Sequence, residues 1–337
     1  MSKGLAPATV VTMGEPSGIG VEITLKAWLR RQEFALGPFF LIADIDEVSR
    51  CANTLNLDIP VSRIEEINGA TAAFSSSIPV LHQAQPVKSV TGSPNPANTP
   101  AVLGAIEAAV KLAMDGAVNA VVTNPIQKES ISKAAFRFND HTNYLGHLAG
   151  SVPTVMMLAT KDLKVVPATV HMSLQDAIAS ITTSMLVDCA RMTDQSLRED
   201  FEISSPRLVM SGLNPHAGEG GLFGFEEDLI IGPAIHQLVA EGIDIRGPIA
   251  ADSLFHTKAR ETYDAAICMY HDQALIPIKT LDFEHAVNTT LGLPFVRTSP
   301  DHGTALDIAG KNRASPSSLI EAIRMAQTIS YNRHRHT

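Results

Sequence analysis

The sequence predicts a mostly parallel α/β fold with helices on both faces of the sheet. Short apolar runs alternate along the chain with longer stretches of helical periodicity, and the links between them are short. Length bears on domain count. The 337 residues exceed the roughly 250–300 that a single hydrophobic core accommodates, so two domains are expected.

Val10–Met13 reads as the opening strand, followed by a Gly/Pro turn. Phe39–Ala43 is a second strand. Thr99 and Pro100 look like the N-cap and first-position proline of a helix. Its Leu103, Ile106, Val110 and Met114 recur at helical spacing. Val118–Val122 is the next strand and ends at Thr123-Asn124-Pro125. Further strands are expected at Thr154–Leu158, Val165–Val170, Leu208–Ser211 and Ala265–Tyr270. There is no internal repeat or low-complexity linker, and the basic tail Asn332–Thr337 reads as a solvated end.

Apolar residues at 45% and charged residues at 18% are ordinary for a globular core. The net charge of −9, with no basic block before the tail, argues against nucleic acid or an anionic membrane as partner. No apolar run approaches the roughly 20 residues needed to cross a bilayer, and no signal-peptide pattern opens the chain. A cytoplasmic location is the expectation. Cys51, Cys189 and Cys268 are far apart and odd in number, which predicts small buried hydrophobes rather than a disulfide framework.

In open α/β folds ligands bind beyond the carboxyl ends of the strands. Three histidines fall there: His171 after Val165–Val170, His216 after Leu208–Ser211, and His271 after Ala265–Tyr270. Imidazole suits divalent first-row ions, and three protein ligands leave a position open for a substrate oxygen. The spacing matches no short zinc signature, and a lone histidine is more often a structural residue than a ligand. Asp252 and Asp272 are possible partners of such a site. Lys279, Asn288 and Arg297 lie in the apolar stretch Ile276–Thr298, where cations are costly to bury unless an anion pairs with them. The alternative is a pair of snorkelling surface cations. His141 and Thr142 offer a ring donor and a hydroxyl.

Gly14-Glu15-Pro16-Ser17-Gly18-Ile19-Gly20 follows a strand and opens a helix, a place where backbone amides favour anions. It is neither the Rossmann nor the P-loop fingerprint, and by itself it is a tight turn. Gly218–Gly224 reads as a flexible loop beside His216. GxSxG, HExxH and CxxC are all absent, so a serine hydrolase, a zincin and a zinc ribbon lack their usual signals.

Five segments together resemble the PdxA family in order and spacing. They are Gly14–Gly20, Thr123-Asn124-Pro125-Ile126-Gln127-Lys128, Leu213-Asn214-Pro215-His216-Ala217-Gly218-Glu219, Met269-Tyr270-His271-Asp272-Gln273 and Thr290–Thr298. The resemblance spans nearly the whole chain. Asp301–Gly310 is similar to the dinucleotide loop of isocitrate and isopropylmalate dehydrogenases.

The resemblance implies two α/β/α domains around a cleft, isocitrate/isopropylmalate dehydrogenase-like. The expected division is 1–128 plus 280–337 for the first domain, and 129–279 for the second, with the histidines and dimer contacts. It implies a homodimer with the active site at the interface. His171, His216 and His271 would bind one divalent metal, whether Zn, Mg, Co or Mn. His141, Thr142, Lys279, Asn288 and Arg297 would bind substrate, and His302, Gly303, Thr304, Ala305 and Asp307 would bind NAD, or else NADP. The implied reaction is oxidation of 4-hydroxy-L-threonine 4-phosphate at C3, then decarboxylation to 3-amino-2-oxopropyl phosphate, on the way to pyridoxal 5'-phosphate. Asp252 and Lys279 are the catalytic candidates.

The chain departs from the family pattern at Glu15, usually Asp, at Val21, usually Pro, and at Asp140 and Asn143, usually Gly and Glu. The last two keep open a related substrate such as D-threonate or D-erythronate 4-phosphate. Rivals of other classes are a three-histidine zinc hydrolase, which leaves the 302–310 segment unexplained, and a non-catalytic phosphate- or nucleotide-binding protein.

Overall fold

The computed structural model describes residues 8–83, 85–127, 131 and 141–335. The chain divides into two units. One runs up to Val152 and resumes over Leu293–Tyr331; the other is Pro153–Gly292 with the chain end from Asn332.

The first unit holds β1 (Thr9–Thr12), β2 (Phe39–Ala43), β3 (Val61–Ile64), β4 (Ile78–His82), β5 (Val121–Thr123) and β12 (Arg297–Pro300), numbered in chain order over the whole protein. They lie in the order β3-β4-β2-β1-β5-β12, with every pairing parallel. β1 and β2 are buried at every position, as expected of parallel strands covered on both faces. Helices Gly20–Leu29, Ile45–Thr54, Asn68–Phe74 and Thr99–Met114 link them. Thr99 does not cap its helix. A short 3₁₀ turn, Pro96–Asn98, precedes it, so Asn98 is the N-cap and Thr99 the first helical residue.

β5 starts three residues later than Val118. Before it, contact with β1 is made by separate bonds: Val10 N–H donates to Ala120 O at 3.0 Å, and the Thr9 hydroxyl donates to Asn119 Oδ1 at 2.8 Å.

The second unit holds β6 (Val155–Ala159), β7 (Lys164–Pro167), β8 (Leu208–Ser211), β9 (Ile245–Ile249), β10 (Ala265–Cys268) and β11 (Val287–Leu291), in the order β11-β6-β7-β10-β8-β9. β7, β10, β8 and β9 are parallel neighbours, while β6 is antiparallel to both β7 and β11. This sheet is therefore mixed rather than wholly parallel. Alternate residues feed two cores. Val166, Leu208, Met210, Ala265 and Ile267 face one, with Leu186, Val187 and Ala190 of helix Thr183–Glu199 and Ile235 and Leu238 of helix Gly232–Ala240. Val165, Val209, Ala266 and Cys268 face the other, with Ala274, Leu275 and Ile278 of helix His271–Leu281. Burying each such aliphatic side chain contributes about 1.5–3 kcal/mol, so two filled cores hold the carboxyl edge of β7, β10 and β8 rigidly.

Candidate active site

The three histidines follow three neighbouring strands, because β10 lies between β7 and β8. The expected strand ends need correction. β7 stops at Pro167 and β10 at Cys268, so His171 sits four residues beyond its strand and His271 three beyond. Side chains take over the ladder here. Met269 N–H donates to Gln273 Oε1 at 2.7 Å, and Met269 O accepts the Thr169 hydroxyl at 2.8 Å. With both of its main-chain groups engaged, Met269 cannot extend β10.

His271 opens the helix His271–Leu281. Its ring centroid lies 5.8 Å from that of His171. Both line a cavity of about 560 Å³ with Tyr270, Asp272, Ser173 and Leu174. His271 Nδ1 is 2.7 Å from Asp272 Oδ1. When Nδ1–H donates to that carboxylate, Nε2 carries the lone pair, the arrangement that metal-binding imidazoles use.

His216 lies in the turn Pro215–Gly221, and the flexible-loop expectation fails there. His216 (φ 54°), Ala217 (51°), Gly218 (79°), Glu219 (42°) and Gly220 (65°) are consecutive left-handed residues. For non-glycine residues this costs roughly 1–2 kcal/mol each, so surrounding bonds must hold the turn. Buried Glu227 does so. It accepts Leu213 N–H at 2.8 Å, Asn214 N–H at 2.7 Å and Asn214 Nδ2 at 3.0 Å. Burial alone would raise its carboxyl, yet the bonds from Asn214 and Leu213 outweigh burial and hold it below the usual range. A Cβ on Gly218 would stand 2.7 Å from Glu227 Oε2, so only glycine fits. The His216 ring lies 5.9 Å from that of Phe223. Among the described residues no group of three or more His, Cys, Asp or Glu side chains is placed to hold a metal ion within one chain. His171 and His271 stand together; His216 does not complete a three-ligand cluster with them.

Asp252 is exposed in the 3₁₀ turn Ala251–Ser253 after β9, which packs against the His216 turn. Lys279 is half-buried on the His271 helix, with Nζ 5.6 Å from the Phe283 ring centre. Asn288 sits on β11, and its Oδ1 is buried with no hydrogen-bond partner among the described residues. These belong to the second unit, as do the three histidines. Arg297 and Thr142 belong to the first. Arg297 opens β12 and is buried rather than snorkelling, donating from Nη2 to Thr123 Oγ1 at 2.6 Å. Thr142 is half-buried near the start of helix His141–Leu148. The His141 side chain, Lys128 and Asp140 lie outside the described residues.

The first unit also gathers the glycine turn and the 301–310 segment. Ile19 N–H donates to Thr304 O at 3.1 Å, and Thr304 Oγ1 donates to Gln127 Oε1 at 3.1 Å. Gly18 allows this approach, since a Cβ there would lie 2.8 Å from Thr304 O. Ala305 is left-handed (φ 43°), His302 Nδ1 is 3.0 Å from Gly303 O, and Asp307 is exposed, its carbonyl accepting Lys311 Nζ at 2.6 Å. Glu15 is buried. Burial raises its carboxyl even though Ser17 N–H donates to it at 3.0 Å.

Cys189 and Cys268 are buried and Cys51 is half-buried, and all three are free. Burial pushes the thiols of Cys51 and Cys189 up to about 12 and that of Cys268 higher still, so none is a thiolate nucleophile near neutral pH. Glu227 and Thr169 are not singled out by the sequence, and Gln273 enters there only as the last residue of the segment Met269–Gln273.

The family described as pyridoxal phosphate biosynthetic protein PdxA matches residues 36–326. The 4-hydroxythreonine-4-phosphate dehydrogenase of Bradyrhizobium diazoefficiens is 46% identical over 98% of this chain and 99% of its own length. That of Methylorubrum populi is 49% identical over 95% and 93%. The crystal structure of the Klebsiella pneumoniae enzyme superposes with a TM-score of 0.84 at 33% identity, covering 96% of this chain and all of that one.

Proposed function

The chain belongs to the PdxA family, and on that premise we propose that it oxidises 4-hydroxy-L-threonine 4-phosphate at C3 with NAD and decarboxylates the product to 3-amino-2-oxopropyl phosphate, a step toward pyridoxal 5'-phosphate. The observation that carries the reading is the arrangement of His171, His216 and His271 at the exits of three adjacent parallel strands. Enzymes named for this dehydrogenation match along nearly the full chain.

The donor set fits a divalent ion. Two imidazoles stand 5.8 Å apart on one cavity, and Asp272 orients one of them. We infer that the site is completed in a homodimer, where His216 of one copy joins histidines of the other. Exposed Met172, Leu174 and Ile178 near His171, with Leu222, Phe223, Phe225 and Leu229 near His216, support a covered interface. When bound, the ion supplies Lewis acidity at the C3 hydroxyl and NAD supplies the hydride acceptor.

The protein's own groups do the rest. Lys279, Asn288, Arg297, His141 and Thr142 would grip the phosphate. Asn288 Oδ1, buried with no hydrogen-bond partner among the described residues, suits a ligand hydroxyl or ammonium donor. That remote grip orients C3 and adds to rate as well as affinity. His302, Gly303, Thr304, Ala305 and Asp307 would hold NAD on the loop braced by the Gly14–Gly20 turn. Asp252, exposed beside the His216 turn, and Lys279 are the candidates to accept the C3 proton.

The test is NADH absorbance with 4-hydroxy-L-threonine 4-phosphate and NAD, with and without chelator. Chelator-sensitive NADH formation is expected. Activity only on D-threonate 4-phosphate would move the protein to another pathway. No NADH from any phosphorylated hydroxy acid, with a folded, metal-loaded dimer, would overturn the reading.

A further inference from the structure

Three strand exits lead to the three histidines, and one buried amide joins two of them. Gln273 stands two residues after His271 and is 9% exposed. Its Oε1 accepts Met269 N–H at 2.7 Å and the Ser211 hydroxyl at 2.7 Å, and its Nε2 donates to Gly212 O at 2.9 Å. Met269 is the exit of β10. Ser211 and Gly212 are the exit of β8. The carbonyl of Met269 then takes the Thr169 hydroxyl from the exit of β7 at 2.8 Å. A capping box would have Gln273, at the third helical position, accept the N–H of the N-cap Tyr270; it accepts Met269 N–H instead. The other two bonds of Gln273 cross to the neighbouring strand, four and five residues before His216. Beyond them, Glu227 holds Leu213 and Asn214, so each residue from Ser211 to Asn214 is tied by one of two buried side chains.

We propose that Gln273 is a positioning residue for the metal site, with Thr169 as its partner across β10. It fixes the β8 exit against the β10 exit, and so holds in one frame the His216 turn and the start of the His271 helix, which the dimer proposed above would assign to two metal sites. The inference rests on reading those histidines as ligands. The chemistry needs glutamine. Both oxygen lone pairs and one amide hydrogen are engaged. Glutamate would keep the two acceptor bonds but set a carboxylate against Gly212 O, and a thioether of similar length would make none of the three. Groups that orient first-row metal ligands typically account for 10–100-fold in affinity.

The experiment uses the full chain and zinc alone. Zinc affinity is measured by competition with a chromophoric chelator, the visible spectrum with cobalt reports ligand geometry, and the melting temperature of the metal-free protein reports the fold. Gln273→Met should bind zinc roughly 10–100-fold more weakly and alter the cobalt bands, with the metal-free fold retained. Thr169→Val preserves shape and removes one bond; it should weaken zinc by a smaller factor, and it carries the test if Gln273→Met does not fold. His216→Ala separates the two layers. If that variant binds zinc like the wild type, the ligand assignment fails, and this proposal with it. If His216→Ala loses zinc while Gln273→Met and Thr169→Val keep wild-type affinity and spectrum, the positioning role alone is overturned.

Discussion

Glu227→Gln tests how the His216 turn is held. In the wild type Oε1 accepts two main-chain N–H groups, from Leu213 and Asn214, and Oε2 accepts Asn214 Nδ2. Glutamine keeps an oxygen for the two main-chain donors but lowers each bond from charge-assisted to neutral, a loss of about 1 kcal/mol apiece. Its Nε2 would then face Asn214 Nδ2, donor against donor. Asn214 cannot simply turn its amide, because Nδ2 also donates to Glu226 Oε2 at 2.7 Å. That clash adds about 1 kcal/mol more, at the low end for a buried group left unpaired. The expected loss is about 3 kcal/mol, or roughly 6–12 °C in the melting temperature of the metal-free protein. The pH dependence supplies a second reading. The folded carboxyl lies below its ordinary 4.5, so its contribution is complete above pH 4.5 and disappears as pH falls through the lower folded value. The gap between wild type and variant should hold from pH 7 to 4.5 and narrow below. A shift under about 2 °C at pH 7, or a gap that ignores acid, would refute the anchoring role.

Gly218→Ala forces a left-handed alanine with its Cβ 2.7 Å from Glu227 Oε2; a loss of about 1–3 kcal/mol in denaturant unfolding is expected, and an unchanged midpoint contradicts it. Gly18→Ala pushes on Thr304 O at 2.8 Å, so KM for NAD should rise roughly tenfold, about 1.4 kcal/mol, with KM for the phosphorylated substrate nearly constant. Equal rises in both would count against the loop as a cofactor site. Glu15→Gln removes a carboxylate whose folded value is raised by burial. Ionisation of such a group costs stability as pH climbs past 4.5, so the variant should be more stable than wild type at pH 7, and the difference should close toward pH 4.5. A variant less stable at pH 7 would show that the charge is used.

Strands with unbroken apolar runs are legible from sequence: Phe39–Ala43 and Leu208–Ser211 begin and end where periodicity places them. β11 (Val-Asn-Thr-Thr-Leu) and β12 (Arg-Thr-Ser-Pro) are not, because polar residues break their apolar runs, and partners such as Thr123 for Arg297 and Ala322 O for Thr298 are invisible in the linear chain. The order β7-β10-β8, which makes neighbours of three distant histidines, is likewise a property of the folded sheet. Glu227 hides in the acidic run Glu226-Glu227-Asp228, where nothing in the linear chain shows that its carboxylate takes the main-chain amides of Leu213 and Asn214.

The same physics accounts for the misplaced strand ends and for the site. β10 is expected to run to Tyr270 because Ala265–Tyr270 is apolar throughout, but hydropathy says nothing about where main-chain groups find partners. Met269 is fully buried and still leaves the ladder, since Gln273 and Thr169 offer its N–H and C=O bonds of 2.7 and 2.8 Å. A continued strand would have set residues 269 to 271 alternately on the two faces of the sheet. Ending it at Cys268 lets Tyr270 cap a helix whose first residue is His271, facing the cavity shared with His171. The residues that break the ladder are thus the ones that aim the histidines, and loss of Gln273 or Thr169 should disturb the site before it disturbs the sheet.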